Sequence, residues 1–191
     1  RLSAVRSFGG KGVIHNERSL DTEKKHFRKR ISLDLILCGA WNAETLKHMD
    51  KEYRLDGKFG ILALHVNPLY SLTKNLLIGP SLDIQYNEGV NLSDYIAGIS
   101  PVTDEIRFYR PPLAEQLATG LSLRVELKMP IFSINLGLGH NIIYKGDELE
   151  GFYNMAILKT FITESIFLHT GLKINYTTSS NNLLLGVGWR L

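Results

Sequence analysis

Few residues in this chain are of a type and spacing that can do chemistry. Six histidines are present, and an imidazole takes a proton from a hydroxyl, or ligates a metal, only beside the right partner. Thr177 is a hydroxyl that could serve as a nucleophile only with a base from elsewhere in the chain, such as His140 or His169. Asp147, Glu148 and Glu150 form an acidic cluster that suits a divalent cation; a solvated loop is the plainer reading. His65 and His169 are a weaker metal pair, for which hydrogen-bonded packing is the simpler account. For His140, too, a structural role is the simpler one. The single cysteine, Cys38, excludes an intramolecular disulfide, a Cys-x-x-Cys redox pair and a Cys-based zinc site. Gly9-Gly10-Lys11-Gly12 lacks the spacing of a phosphate loop, and no cofactor is expected.

These residues must be held by strands. The chain has 191 residues, 44% hydrophobic and 21% charged, with 22 Lys+Arg against 19 Asp+Glu. That is the profile of one folded domain, and a balance of +3 gives no reason to expect nucleic acid as a partner. The basic run Lys24, Lys25, His26, Arg28, Lys29, Arg30 reads as a solvated flank. Residues 1–25 read as an N-terminal extension, and residues 42–55 as irregular or helical, their Ala, Glu, Leu and Lys suiting a short turn of helix.

Nearly everything else alternates at period two. In 31–41, Ile31, Leu33, Leu35, Leu37 and Trp41 oppose Ser32, Asp34, Ile36, Cys38 and Ala40. The same pattern marks 76–87, 117–128, 132–144 and 182–191, and more weakly 57–67, 151–161 and 166–175. Eight strands are the number at which a sheet closes into a small barrel. The joins alternate between roughly 15, 25, 6 and 6 residues and about 7, 3 and 4, so the long ones share one end.

Which face points inward follows from the polar face, which is rich in Gly, Ser and Asn and carries Asp34, Asp83, Arg124, Glu126, Lys173 and Arg190. Small residues and pairable charges suit a narrow lumen, where each buried charge needs a partner. Asp83, Arg124 and Glu126 are expected to form one ion-pair network. The opposite face is almost free of charge, as lipid contact demands, and Trp41, Tyr86, Tyr144 and Trp189 lie near its strand ends, where interfacial aromatics belong. No stretch reaches the roughly 18 to 20 apolar residues of a transmembrane helix, which leaves a membrane barrel open.

The last third, from Gly137 to Leu191, resembles Bacteroidetes outer-membrane barrels similar to the lipid A deacylases, or acyloxyacyl hydrolases. The matching pieces are Gly151-Phe152-Tyr153, Gly171-Leu172-Lys173 and the closing Gly186-Val187-Gly188-Trp189-Arg190-Leu191. The resemblance implies ester hydrolysis of an acyl chain on lipopolysaccharide, by a Ser/His/acid group on the outer wall. It places a His-x-Ser motif at the end of the penultimate strand. Here that stretch reads Asn175-Tyr176-Thr177, and no Asp or Glu follows Glu164. An asparagine cannot act as the base, so the triad is read as lost.

The expectation is an all-β, eight-stranded, up-and-down barrel over residues 26–191, spanning the bacterial outer membrane after loss of a signal peptide. Its function is expected to be non-catalytic, in contact with lipopolysaccharide or as a subunit of an outer-membrane complex. The loops 42–55 and 88–112 would carry contacts to other outer-membrane proteins. The alternatives are an active acyl-ester hydrolase and a soluble lipid-binding barrel with its apolar face inward.

Overall fold

The computed structural model describes residues 31–42, 45–48, 51–55, 59–99, 106–176 and 181–191. The extension 1–25 and the basic run lie outside them. Twelve strands follow one another among the described residues: β1 (Ile31–Asn42), β2 (Thr45–His48), β3 (Lys51–Arg54), β4 (Phe59–Ser71), β5 (Leu76–Asn87), β6 (Ile96–Ile99), β7 (Ile106–Phe108), β8 (Leu117–Lys128), β9 (Phe132–Ile143), β10 (Phe152–Phe161), β11 (Ile166–Asn175) and β12 (Asn181–Arg190). Eight of them close into an antiparallel barrel in the order β1-β12-β11-β10-β9-β8-β5-β4. First and last strands meet with Asp34 opposite Arg190 and Leu35 opposite Trp189, so the barrel has no open edge.

Period two sorts the side chains as the sequence predicts. Ile36 and Cys38 are buried, whereas Leu35 and Leu37, which alternate with them, are exposed. Along β8, Leu121, Leu123, Val125 and Leu127 point out while Ser122, Arg124 and Glu126 are buried. The outer wall is therefore apolar, with Trp41 and Trp189 exposed on it near opposite ends of the barrel. Arg124, Tyr153, Lys159 and Phe167 are the largest fully buried side chains, and they fill the lumen. Glycines on neighbouring strands make that filling possible: a Cβ on Gly139 would lie 2.4 Å from the Tyr153 ring, and one on Gly137 2.7 Å from Arg124. The soluble lipid carrier fails on this finding, because the apolar face is outward and the interior is polar and filled.

Two sequence readings need correction. Residues 42–55 hold no helix among those described; β2 and β3 pair as a hairpin, with Leu46 opposite Tyr53 and Lys47 opposite Glu52. An isolated helix of that length is marginal in water, whereas a hairpin pairs its backbone groups across two strands. The strand expected over 57–67 runs instead from Phe59 to Ser71. Pro68 lies on the outer face. The pairs Val66–Leu82 and Tyr70–Ile78 bracket it in one register, which sets Pro68 opposite Pro80, so two residues without an N–H share one gap in the ladder.

The short joins share one end. Two of them, Leu72-Thr73-Lys74-Asn75 and Ile162-Thr163-Glu164-Ser165, have the same geometry. Thr73 Oγ1 accepts from the backbone N–H of Asn75 and Leu76 at 3.3 and 3.0 Å, and Thr163 Oγ1 from Ser165 and Ile166 at 3.3 and 2.9 Å. Both turns close with a backbone bond of 2.9 Å, Leu72 to Leu76 and Ile162 to Ile166.

Candidate functional site

The lumen holds its charges at two levels. Near the short turns, Asp34, Glu126, Lys159 and Arg190 form a closed ring of two acids and two bases. Arg190 grips Asp34 through Nε and a terminal nitrogen, each at 2.7 Å, and reaches Glu126 at 2.6 Å. Lys159 donates to Asp34 at 2.7 Å and also to Glu126. Ser133 adds a hydroxyl to Glu126 at 2.9 Å. Each acid thus meets both bases, as buried charges require. The sequence reading joined Glu126 to Asp83 and Arg124. The structure separates them, because Glu126 faces Lys159 across the lumen and Asp83 takes Arg124 for itself.

At mid-lumen Asp83 is the hub. It accepts from Arg124 at 2.8 and 2.9 Å, from the hydroxyls of Ser81, Ser122 and Tyr153 at 2.6, 2.7 and 2.6 Å, and meets His65 Nδ1 at 2.8 Å. Lys173 donates to Gln85 at 2.7 Å and sits 4.3 Å over the Tyr153 ring. His65 and His169 face each other with ring centroids 5.8 Å apart. Sequence analysis had paired these histidines. It could not see that Cys38 joins them, since strand alternation gives the face of a residue and not its height in the barrel.

The long joins build a cap at the opposite end. Leu55, Phe59 and Leu92 form a small core with Ile96 and Phe108 packed against it, and Val90, Ala118 and Leu149 form a second with Tyr144. Asn91, in the left-handed region at φ 57°, ties three segments together. Its side chain donates to the carbonyls of Glu115 and Lys145 at 3.1 and 3.0 Å, and its N–H donates to Glu148 at 2.8 Å. The cap also contains the β6–β7 pair.

The sequence candidates are scattered over this frame. His140 is half-buried on the outer wall, edge-on to Phe152 at 4.6 Å. His169 is in the lumen, so the two histidines lie on opposite faces of the wall and cannot serve one site. Thr177 lies outside the described residues. In the acidic cluster, Glu148 is engaged by Asn91 and lies 3.4 Å from the Ser93 hydroxyl, and Glu150 is exposed. The Asp147 side chain is not among those described.

An apolar wall with exposed tryptophans near both ends, closed around a filled and charge-paired interior, defines a membrane-spanning β-barrel of the outer-membrane kind. Residues 31–191 match the family model described as acyloxyacyl hydrolase, C-terminal domain. The chain belongs to that family. Similar solved structures include a de novo designed transmembrane β-barrel, at 10% identity and TM-score 0.48, covering 85% of this chain and 96% of that one. Ail, the attachment invasion locus protein of Yersinia pestis, is similar at 12% identity and TM-score 0.45, covering 84% and 97%. Neisserial surface protein A is similar at 12% identity and TM-score 0.38, covering 84% and 96%. No curated protein sequence matches.

Proposed function

We propose that this chain is a non-catalytic relative of the lipid A deacylases, a bacterial outer-membrane barrel that contacts lipopolysaccharide. The observation that carries the reading is the scatter of the catalytic candidates. His140 faces outward against Phe152, His169 faces the lumen, and among the described residues no hydroxyl or carboxylate is hydrogen-bonded to His140. Nucleophilic ester hydrolysis needs hydroxyl, imidazole and acid in contact.

A binding role draws on the cap. Arg107, Tyr109 and Arg110 are exposed after the start of β7, and guanidinium groups with an aromatic ring suit lipid phosphates and sugars. The loops 42–55 and 88–112 are the surfaces for any contact with other outer-membrane proteins. The test is incubation of the purified barrel with lipopolysaccharide, followed by lipid A mass analysis and a retention assay on immobilised lipopolysaccharide. The expected result is unchanged lipid A, with retention lowered by Arg107→Ala and Arg110→Ala. Release of 3-hydroxy acyl chains that Thr177→Ala abolishes would overturn the proposal in favour of an active hydrolase.

A further inference from the structure

The geometry points to a metal site at mid-lumen, in which Cys38 Sγ, His65 Nε2 and one ring nitrogen of His169 bind a soft monovalent ion of the Cu+ class. One donor atom from each residue lies within 4.8 Å of the other two, and all three residues are buried; Nε2 is the nitrogen that His65 has to spare. They come from β1, β4 and β11. Cys38 and His169 both stand opposite Gly186 in the ladder, so the strand between them presents no side chain. A Cβ there would fall 2.5 Å from that of Cys38.

The polar atoms of the trio are poorly used. His65 spends Nδ1 on Asp83 at 2.8 Å, and its Nε2 has no partner. Both nitrogens of His169 have none, although the residue is only 1% exposed. The Cys38 thiol makes a long 3.7 Å contact to the Ala63 carbonyl. Buried imidazole nitrogens without partners cost desolvation that nothing returns, and a metal ion returns it. His65 already has the second-shell carboxylate that typically orients a ligating histidine. One cysteine cannot build the Cys-based zinc site that the sequence excludes; the fold makes its thiol a single ligand among three.

Thiolate with imidazole suits both Cu+ and Zn2+. Charge and ligand number decide between them. The surrounding lumen holds Arg124 and Lys173 against Asp83, and a monovalent ion on a thiolate adds no net charge. Zn2+ would add one beside those cations in a low-dielectric interior, and it takes a fourth ligand that the trio does not supply. On binding, the thiol proton leaves to solvent and a sulfur–metal bond forms, with no change of oxidation state. Bonds of about 2.0 to 2.3 Å, as zinc makes to nitrogen and sulfur, draw three donors to about 3.5 to 4 Å apart. The trio must therefore contract by on the order of 1 Å at most, within reach of side-chain rotation.

The test is anaerobic refolding of the full chain in detergent with Cu+ and a reductant, then desalting against a chromophoric Cu+ chelator, with closure checked by heat-modifiable gel mobility. One copper per closed barrel is expected. Cys38→Ser and His169→Gln, still heat-modifiable, should each lower affinity at least tenfold, whereas His140→Gln, on the outer wall against Phe152, should not. Gly171→Ala keeps every ligand but sets a methyl 2.7 Å from His169 Nε2, and should weaken retention about tenfold, as second-shell changes do. No copper kept by the closed barrel, retention unchanged by Cys38→Ser, or displacement of Cu+ by equimolar Zn2+ would each overturn the proposal.

Discussion

The two levels of the lumen solve the same problem differently. Near the short turns, two acids and two bases from β1, β8, β10 and β12 neutralise one another in a ring. At mid-lumen one carboxylate, Asp83, serves five donors, while the imidazole nitrogens beside it go unused. Matched charges make the first level a structural lock. Partial pairing makes the second a place with coordination to spare, which natural interiors seldom leave without a reason.

The largest effect should come from breaking the ring. Glu126→Gln leaves Lys159 and Arg190 with one charged partner between them, and the loss of a buried partner costs about 3 to 5 kcal/mol. Urea unfolding in detergent micelles should show it, and adding Lys159→Met should recover part of the loss. Leu123→Arg adds a guanidinium on the lipid face, one residue from the lumen face where Arg124 is paired. About 2 to 4 kcal/mol is expected near the bilayer midplane, read by the same unfolding assay in lipid.

At mid-lumen the metal-free protein should be tolerant. His169→Leu replaces a ring that makes no hydrogen bond, and should change stability by less than about 1 kcal/mol. A loss as large as that for Glu126→Gln would erase the distinction between the levels. The smallest effect belongs to the cap. Tyr95 donates to Glu115 at 2.9 Å, and that bond raises its phenol above the usual range. A raised value means the bond contributes fully below the unfolded tyrosine value of about 10 and is lost as pH rises through the folded one. Proteolysis of the 88–112 loop should therefore quicken at alkaline pH in the native protein, and Tyr95→Phe should remove that pH dependence.

The sequence made the faces legible and left the levels hidden. Alternation assigns Asp34, Asp83, Arg124 and Glu126 correctly to the interior, because a strand has only two sides. It cannot say that Asp34 meets Lys159, 125 positions away, because height in a barrel depends on stagger between strands that do not touch. The hairpin at 45–54 was missed for another reason. Its Leu, Lys and Glu favour a helix weakly, and backbone pairing between two strands outweighs so short a propensity. Lys159 reads as one charge in an apolar run until its two carboxylates come into view.

The ring has a consequence for how the barrel forms. Hairpins such as β4–β5 and β10–β11 close locally through their threonine turns, but Asp34 and Arg190 are joined only when the first strand meets the last. Until that moment Asp34 is parted from both of its bases, and Lys159 and Arg190 share Glu126 alone, which leaves unbalanced charge that lipid rejects. Closure and charge neutralisation are then one event, so the circle is completed cooperatively, with a half-built wall held back from the hydrocarbon until its latch can engage.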